Sequence, residues 1–340
     1  MGDFAHAIVG WQKTHGRHNL PWQTKPNQAT DPYAIWVSEI MLQQTQVTAV
    51  IGYYAKFMAR FPTIAALANA NQDDVLQSWS GLGYYSRARN MHASAQQIVD
   101  NFAGEFPQDF DAILSLPGIG QSTAAAISTF AFNKPMPILD GNVKRVFARH
   151  FLVEGWPSTP KIQAQLWQIA ARENPLKEAQ AYTQGLMDLG ATLCTRSKPK
   201  CDLCPVLNTC QAHALGKTKS LPTPKPRKRL PEKNTVMQVL ICGNEVLLEK
   251  RPNSGIWGGL WSLPEAANLL ENAEILPKLS HSFTHFKLHI QVQKIAILKP
   301  LSIAAEFAIS PNHVWLPIND AIGAAIPTPV RKILLGLLLK

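Results

Sequence analysis

The stretch DAILSLPGIGQSTAAAISTFAF (111–132) has the pattern of two short helices joined by a glycine turn. Pro117 ends the first helix, and the Ala-rich run from Gln121 begins the second almost at once. We expect Gly118 and Gly120 to give this turn a positive φ and a close backbone approach. The unpaired N–H groups of such a turn can bind a phosphate oxygen, helped by the positive end of the second helix. An ordinary helix–helix turn has the same pattern, so the turn alone leaves both interpretations open.

Helical periodicity extends outward from this hairpin over the whole chain before residue 191. Apolar spacing interrupted by Pro and Gly predicts a series of amphipathic helices there. These helices are expected at 3–15, 34–59, 64–80, 86–101, 109–115, 121–132, 142–152, 161–173 and 178–190.

After residue 234 the periodicity shortens to that of strands. TVMQVLI (235–241) and EVLLEK (245–250) flank Gly243-Asn244, a two-residue hairpin signal. Further on, LHIQVQKIAIL (288–298) alternates with period two. The sequence therefore predicts a mainly α N-terminal domain followed by an α+β domain.

The charge of the chain is concentrated between these two parts. The net charge is +10, and residues 217–234 hold seven basic residues, one acidic residue and four prolines. Repeated prolines and like charges favour an extended linker, so we expect domains at 1–216 and 235–340. A basic linker between two nearly neutral domains suits a polyanionic partner, although a solubilising linker has the same composition.

The bulk composition excludes several classes of protein. A chain of 340 residues with 46% hydrophobic residues can form packed cores, which excludes global disorder. No apolar run approaches the roughly 18 residues of a membrane span, and the N-terminus lacks the pattern of an export signal. We therefore expect a cytoplasmic protein with no membrane partner.

Four of the five cysteines lie close together in the loop 191–212. Cys194, Cys201, Cys204 and Cys210 have the spacing C-x6-C-x2-C-x5-C. Thiols packed so closely in an intracellular chain indicate metal binding rather than disulfides. One compact loop that supplies all four ligands favours an iron–sulfur cluster over zinc, which remains the alternative.

Glu39 is the one formal charge in PYAIWVSEIMLQQTQVTAVIGYYA (32–55). On a helix, such apolar neighbours would desolvate the carboxyl group and raise its pKa. A carboxylic acid that keeps its proton near neutral pH can act as a general acid. The alternative is a solvated helix glutamate.

Asp140 follows an apolar run and precedes a basic helix that contains Lys144 and Arg145. An Asp at this position is a favoured helix N-cap. The helix start and the two cations would also hold its carboxylate ionised, and the cations could contact DNA phosphates. A neutral acid and an ionised carboxylate are the pair that cleaves a bond to an anomeric carbon.

A second glycine turn, GLGYYSRARN (81–90), carries aromatic and basic side chains. Tyr84 and Tyr85 could wedge into a base stack while Arg87 and Arg89 hold the DNA backbone. Aromatic residues in such turns also commonly just pack against the protein.

These segments together resemble the adenine DNA glycosylases of the helix–hairpin–helix superfamily. The matching motifs cover about residues 5–215 and are SEIMLQQTQV (38–47), GLGYYSRARN (81–90), LPGIGQSTA (116–124), PILDGNVKRV (137–146) and CTRSKPKCDLCPVLNTC (194–210). The resemblance implies removal of adenine mispaired with 8-oxoguanine or guanine in double-stranded DNA. It also implies that the four cysteines hold a 4Fe–4S cluster.

The resemblance assigns roles residue by residue. Glu39 would protonate the adenine, Asp140 would support the sugar cation and Asn142 would assist at the sugar. The residues that would probe the opposite base and the vacated stack are Gln43, Gln44 and Tyr84.

Ser122 separates this reading from related glycosylase/lyases for oxidised pyrimidines. Those enzymes carry a nucleophilic Lys at the second residue after the GIG turn, where this chain has Ser122. Because a serine cannot form a Schiff base, we expect base excision without efficient strand cleavage.

The C-terminal segment RPNSGIWGGLWSLPE (251–265) resembles the start of a Nudix domain. Glu265 matches the first glutamate of its metal-binding box, but the chain has Ala273-Glu274 and Pro277-Lys278 where the other carboxylates are required. We expect this domain to bind rather than hydrolyse. The residues that resemble the family's lesion-reading loop are Phe283, Thr284 and His285.

We therefore expect a mainly α helix–hairpin–helix glycosylase domain with a 4Fe–4S loop, followed by an α+β Nudix-like domain. The alternatives are a glycosylase/lyase, a non-catalytic DNA-damage-binding protein and a nucleotide pyrophosphohydrolase.

Overall fold

The computed structural model of the chain describes residues 1–25, 28–226, 229–271, 273–297 and 312–338. Its contacts divide the chain into two compact units. The helical unit comprises residues 1–68 and 93–226, and the C-terminal unit comprises residues 69–92 and 227–340. The grouping of 69–92 with the C-terminal residues was not anticipated from the sequence. Among the described residues, no helix is both long and apolar enough to cross a membrane.

The helical unit follows the predicted order of elements. Its helices are α1 (Asp3–His15), α2 (Pro32–Leu42), α3 (Val47–Arg60), α4 (Ile64–Ala68), the later part of α6 (Ser86–Phe102), α7 (Phe110–Ser115), α8 (Gln121–Phe132), α9 (Gly141–His150), α10 (Pro160–Glu173), α11 (Ala179–Thr192) and α12 (Gln211–Ala214). Two 3-10 turns, Cys201–Leu203 and Leu207–Thr209, lie in the cysteine loop.

Helix α2 is apolar on nearly every side and is correspondingly buried, as expected for a helix inside a core. Asp31 caps it by accepting a hydrogen bond from the N–H of Tyr33. The single helix expected over 34–59 is wrong, because α2 ends at Leu42 and α3 begins at Val47. The break falls where Gln44 adopts a left-handed φ of 57°.

The core of the helical unit lies where α1, α9 and α11 meet. Phe4, Ile8, Phe147 and Leu186 are among its buried side chains. Burial of each such side chain contributes about 1.5–3 kcal/mol. Small residues let these helices approach: a Cβ added at Gly185 would lie 2.8 Å from Cγ2 of Ile8.

The α7–α8 hairpin has one glycine with a positive φ rather than two. Gly118 has a φ of 79°, as expected for the turn. Gly120 is the N-cap of α8 with a φ of −94°, and a Cβ added there would contact nothing within 4 Å. The expectation of a positive φ at Gly120 is therefore wrong, while a close backbone approach to a phosphate stays a prediction.

The C-terminal unit contains a mixed sheet with helices. Its elements are α5 (Gln72–Ser78), the start of α6, β1 (Glu232–Cys242), β2 (Glu245–Lys250), β3 (Trp261–Ser262), β4 (Glu265–Ala266), β5 (Glu274–Ser282), β6 (Lys287–Ala296), β7 (His313–Pro317), α13 (Ile318–Gly323) and α14 (Thr328–Leu338).

The sheet of the described residues has the order β3-β2-β1-β6-β5, with β4 beside β1 and β7 beside β2. β1 and β6 are parallel, and the other pairs are antiparallel. Cys242 pairs with Glu245, so the predicted two-residue turn at Gly243-Asn244 is confirmed. β1 already begins at Glu232, within the segment expected to be a linker.

Residues 69–92 join the C-terminal unit through polar contacts. Both carboxylate oxygens of Asp73 are used, one by the ammonium group of Lys250 and one by Nε1 of Trp261 at 3.0 Å. Nη2 of Arg331 donates to Oγ of Ser80 at 2.8 Å. The helix expected over 64–80 is wrong, because α4 ends at Ala68 and α5 begins at Gln72.

Candidate active site

A cavity of about 830 Å³ in the helical unit collects most of the residues singled out in its sequence. Glu39 reaches it from the last turn of α2, and Asp140 reaches it from the start of α9. The other lining residues expected to act at a site are Gln43, Gln44, Ser122, Asn142 and Arg145. Lys144 and Gly120 are not among the lining residues.

Glu39 has a strongly perturbed carboxyl group. Its side chain keeps partial exposure toward the cavity, but the surrounding apolar residues of α2 desolvate the carboxyl. Burial, which is the larger cause, and the nearby charge of Asp140 together raise the pKa of Glu39 to about 8. The carboxyl therefore carries its proton at neutral pH.

Asp140 caps α9 and is surrounded by donors. Its Oδ1 accepts from the N–H of Val143 at 2.7 Å, and its Oδ2 accepts from Nδ2 of Asn142 at 3.1 Å. Burial nevertheless raises the pKa of Asp140, while these hydrogen bonds and the charge of Arg145 oppose the increase. The hydrogen bonds at the helix start and the charge of Arg145 thus act in the expected direction, although burial is the larger effect; that Asp140 is ionised stays a prediction.

Arg145 donates hydrogen bonds inside the protein that hold other residues of the site in place. Its Nη2 donates to Oδ1 of Asn142 at 2.8 Å and to the carbonyl of Gly190 at 2.7 Å, and its Nε donates to the carbonyl of Cys194 at 2.7 Å. These bonds fix the amide of Asn142 with its NH₂ toward Asp140. A direct contact of Arg145 with DNA stays a prediction.

Gly190 on α11 allows the start of α9 to approach. A Cβ added at Gly190 would lie 2.6 Å from Cβ of Asn142. The two backbones are therefore packed so closely that only glycine fits without displacing Asn142.

We expect Gly190→Ala to lower the free energy of unfolding by about 1–3 kcal/mol, because the added methyl group must push α9 away from α11. Urea unfolding measures the change. Gly10→Ala on α1 is the matched control, since nothing lies within 4 Å of its added Cβ. The control should gain about 0.5–1 kcal/mol from helix propensity. Equal effects of the two substitutions would contradict the close approach.

The raised pKa of Glu39 makes the stability of the fold depend on pH. Between the ordinary value of 4.5 and about 8 the folded state binds more protons at this site than the unfolded state. The free energy of unfolding therefore falls as pH rises, by up to about 1.4 kcal/mol per pH unit. We expect Glu39→Gln to abolish this pH dependence. The free energy of unfolding of the variant, relative to that of the wild type, should therefore be about 2–3 kcal/mol higher at pH 8.5 than at pH 5.5. Urea unfolding of both proteins at the two pH values measures this difference, and a constant difference would contradict the raised pKa.

The hairpin turn contributes to the same cavity through side chains on both sides. Oγ of Ser122 accepts from the N–H of Leu139 at 3.0 Å, next to Asp140. Nε2 of Gln43 donates to the carbonyl of Gly118 at 3.4 Å. The turn is thus tied both to the end of α2 and to the segment that leads into α9.

Glu39 also lines a second cavity of about 460 Å³ in the helical unit. This cavity is bounded by Trp22 and by a set of glutamine side chains, Gln12, Gln23, Gln180 and Gln184. The sequence analysis missed these residues, because single amides in amphipathic helices have no distinctive pattern. Glu39 is the one residue common to both cavities.

The four predicted cysteine ligands line one cavity at the end of α11. Its other walls are largely apolar, including Val146, Leu189 and Val206. Among the described residues, no group of His, Cys, Asp or Glu side chains is close enough to hold a single metal ion.

Arg149 on α9 ties the cysteine loop to the helical core. It is 2% exposed, and its guanidinium donates to Sγ of Cys194 at 3.3 Å and to the carbonyls of Thr195 and Leu221 at 2.7 and 2.8 Å. Leu221 is itself buried, so the first part of the expected linker packs against the helical unit.

A groove of about 840 Å³ in the C-terminal unit collects Tyr84 and the residues of the predicted lesion-reading loop. Gln43 and Gln44, which were also expected to probe the opposite base, line the cavity of the helical unit instead. Tyr84, which is 46% exposed with a φ of 50°, lines the groove together with Phe283, Thr284 and His285. The Phe283 ring packs on Trp257, with ring centroids 5.5 Å apart. The fold thus brings together two motifs 200 residues apart in the sequence.

The two arginines of the glycine turn face the protein. Arg87 is 7% exposed, its Nη2 donates to the carbonyl of Gly83 at 3.1 Å, and its guanidinium lies over the rings of Trp79 and Tyr84. Nη1 of Arg89 donates to the carbonyl of Gly258. The expectation that Arg87 holds the DNA backbone directly is therefore wrong, since it braces the turn that presents Tyr84.

The carboxylates of the Nudix-like segment are dispersed. Glu265 pairs with Arg251 at 2.6 Å, and Glu274 pairs with Lys294 at 3.1 Å. Pro277 lies in β5, where successive side chains point to opposite faces. Among its described residues, this segment shows no group of three or more carboxylates that could hold a divalent cation.

Comparisons with known proteins match both units. Residues 37–172 match the model of the HhH-GPD superfamily of base excision DNA repair proteins, and residues 236–336 match that of the NUDIX domain. The adenine DNA glycosylase of Buchnera aphidicola subsp. Acyrthosiphon pisum (strain APS) is 38% identical, over 97% of this chain and 96% of its own length. The adenine DNA glycosylase of Homo sapiens is 31% identical, over 97% of this chain and 73% of its own length.

Solved structures match the helical part of the fold. A thermostable thymine-DNA glycosylase aligns with a TM-score of 0.56 and 28% identity, covering 62% of this chain and 95% of its own. Endonuclease III in a non-covalent DNA complex aligns with a TM-score of 0.51 and 20% identity, covering 63% of this chain and 96% of its own. At that identity the second likeness concerns the fold alone.

Proposed function

Because the chain belongs to the family of adenine DNA glycosylases, we propose that it excises adenine opposite 8-oxoguanine or guanine in double-stranded DNA, as a monomer. The observation that carries the proposal is the desolvated carboxyl of Glu39, with a pKa of about 8, beside the hydrogen-bonded carboxyl of Asp140. In this pair Glu39 is the neutral acid and Asp140 is the anion. That division is the chemistry needed to break a bond between a base and a sugar.

The surroundings decide which carboxyl holds the proton. Burial and the charge of Asp140 both favour the protonated form of Glu39. At Asp140 burial raises the pKa as well, but there the donors Val143 N–H and Asn142 Nδ2 and the charge of Arg145 oppose the increase and favour the anion. Glu39 therefore donates its proton to a ring nitrogen of the departing adenine, and the Asp140 anion stabilises the positive charge that develops on the sugar.

The cavity of about 460 Å³ suits the extruded base. Glu39 lies at its border with the larger cavity that contains Asp140, so a base in the smaller cavity and its sugar in the larger one would place the glycosidic bond beside both carboxyls. Trp22 offers an aromatic wall and the glutamines offer hydrogen bonds.

Ser122 fits a reaction that stops at the abasic site. Its hydroxyl lies at the cavity and accepts from the N–H of Leu139. It has no amine with which to form a Schiff base to the sugar aldehyde, so the strand stays intact after excision.

The direct test uses a duplex with adenine opposite 8-oxoguanine, half of it treated with alkali after reaction. The proposal expects strand breaks only after alkali, and no enzyme–DNA adduct after borohydride reduction. Breaks without alkali, or a stoichiometric adduct, would instead favour a glycosylase/lyase. No breaks in either half would favour a non-catalytic damage binder.

The groove of the C-terminal unit is proposed to read the base opposite the adenine. Tyr84 and the Phe283–His285 loop line it together, which offers an aromatic wedge and polar groups to one base. Oγ1 of Thr284 lies 3.4 Å from Nδ1 of His285, so the loop presents both polar groups side by side. Because Glu265 and Glu274 are each paired with a basic side chain and the chain has Pro277-Lys278 where further carboxylates are required, binding rather than hydrolysis is its proposed activity.

Thr284→Ala is expected to lower the ratio of excision rates opposite 8-oxoguanine and opposite guanine by about 3- to 10-fold, through loss of one hydrogen bond. Thr284→Ser keeps the hydroxyl and should retain the ratio. Single-turnover rates on the two duplexes measure it. Equal ratios in all three proteins would remove Thr284 from lesion recognition.

The cysteine loop fits a 4Fe–4S cluster. Cys194, Cys201, Cys204 and Cys210 line one largely apolar cavity, and four thiolates supplied by one compact loop are the ligand set of such a cluster. Such a cluster would cross-link the loop that follows α11. Arg149, buried against the same loop, would hold it to α9.

A further inference from the structure

Asp73 on α5 attaches the segment 69–92, which carries Tyr84, to the sheet of the C-terminal unit. One carboxylate oxygen of Asp73 pairs with the ammonium group of Lys250 on β2, and the other accepts from Nε1 of Trp261 on β3 at 3.0 Å. Lys250 and Trp261 are cross-strand partners, and Nζ of Lys250 lies 4.8 Å from the centroid of the Trp261 ring. The three side chains therefore form one connected cluster, in which each contacts the other two.

Other polar contacts hold the same segment on both sides of its glycine turn. Before the turn, Oγ of Ser80 accepts from Nη2 of Arg331 on α14 at 2.8 Å. After the turn, Nη1 of Arg89 donates to the carbonyl of Gly258. The C-terminal unit therefore holds the turn from the sheet, from its last helix and from the loop before β3.

The turn itself is braced, so that a movement of α5 reaches Tyr84. Nε1 of Trp79 and Nη2 of Arg87 both donate to the carbonyl of Gly83 at 3.1 Å. Tyr84 follows directly, with a left-handed φ of 50° that a non-glycine residue keeps only where its surroundings enforce it. The position of the Tyr84 ring thus depends on where α5 is held.

The Asp73 cluster lies outside the groove that is proposed to read the opposite base. Tyr84 and the loop 283–285 line that groove, whereas Asp73, Lys250 and Trp261 are not among its lining residues. The cluster therefore acts on a base in the groove through the position of Tyr84 relative to the loop.

We propose that Asp73 is a positioning residue that holds Tyr84 in place relative to the loop 283–285, and thereby sets the preference for 8-oxoguanine over guanine opposite the adenine. The proposal rests on the proposed function. The two bases differ by a carbonyl at C8 and an N–H at N7. A groove distinguishes so small a difference only when its walls and polar groups keep fixed positions. Release of α5 would let Tyr84 shift and would weaken this discrimination.

Charge reversal and charge exchange test the pair. Asp73→Lys brings two ammonium groups together and Lys250→Asp brings two carboxylates together, so each should release α5 from the sheet. Each should lower the ratio of single-turnover excision rates opposite 8-oxoguanine and opposite guanine by about 5- to 10-fold. Combining Asp73→Lys with Lys250→Asp restores the attraction and should recover most of the ratio.

Glu154→Lys is the matched control. It reverses the acidic member of an exposed ion pair with Lys217 in the helical unit and changes the net charge as Asp73→Lys does. An effect of charge on DNA affinity alone would therefore appear in both variants, and the control should leave the ratio unchanged. Asp73→Ala is the milder variant, because it removes both bonds while keeping a good helix former, and it should lower the ratio by about threefold.

A merely structural role of Asp73 would lower both excision rates together, so an unchanged ratio in Asp73→Lys and Lys250→Asp would overturn the proposal. A combined variant with no higher ratio than the single variants, or an equal loss in Glu154→Lys, would overturn it too. If a charge-reversed variant fails to fold, an unchanged ratio in Asp73→Ala decides against the proposal. A wild type that does not excise adenine, or that excises it equally from both duplexes, would instead contradict the proposed function.

Discussion

Glu39→Gln is expected to slow adenine excision by about 10²- to 10⁴-fold while duplex binding stays within about threefold of the wild type. The amide has nearly the shape of the protonated carboxyl but has no acidic proton for the departing base. Single-turnover kinetics with adenine opposite 8-oxoguanine, at saturating enzyme, separate the chemical step from binding.

Glu105→Gln is the matched control, because Glu105 is an exposed glutamate in the same helical unit. It should leave both the rate and binding unchanged. An excision rate for Glu39→Gln within threefold of the wild type would remove Glu39 as the acid.

Asp140→Asn is expected to lower the excision rate by about 10²- to 10³-fold, because the anion that supports the sugar cation is lost. Asn is also a favoured N-cap, so α9 should keep its start and the protein its fold. A second effect follows from the coupling of the two carboxyls. Since the charge of Asp140 raises the pKa of Glu39, its removal should shift the decline of the rate at high pH toward lower pH.

Asp109→Asn controls for the loss of an acidic N-cap. Asp109 caps α7 by accepting from the N–H of Ala112 at 3.0 Å and is exposed. Rates measured between pH 6 and 9 for both variants should show a slower, shifted profile for Asp140→Asn alone. A profile of Asp140→Asn with the wild-type pH dependence would contradict the coupling.

The candidate catalytic residues could be predicted from the sequence where a single charged residue lies in an otherwise apolar segment. Glu39 stands alone in an apolar helix, and the structure finds its carboxyl desolvated. The same signal, a lone carboxylate in α11, also marks Asp188, which the sequence analysis passed over. A carboxylate in apolar surroundings is costly unless it is paired or neutral, and accordingly Asp188 is paired with Arg17 whereas Glu39 keeps its proton.

The partners of these residues could not be predicted, because they depend on packing between distant segments. Nothing in the sequence around Arg17 indicates that it pairs with Asp188, 171 residues away. Arg87 appeared suited to DNA contact from its place in a glycine turn, yet it is buried against Trp79. A basic side chain in a turn has the same local pattern whether it faces solvent or protein.

Backbone breaks were predicted only where Gly or Pro marks them. The turn after Leu42 escaped the sequence analysis because Gln44, rather than a glycine, adopts the left-handed conformation there. That turn carries Gln43 and Gln44 into the cavity, so the unpredicted break contributes directly to the site.

The protonation state of Glu39 is tested most directly by ¹³C NMR of the protein with its glutamate side-chain carboxyl carbons labelled, titrated between pH 4 and 9. The signal absent from Glu39→Gln identifies the residue. Its midpoint is predicted at about 8, well above the ordinary 4.5. A midpoint near 4.5 would mean that Glu39 is ionised at neutral pH and cannot supply the proton to the departing adenine.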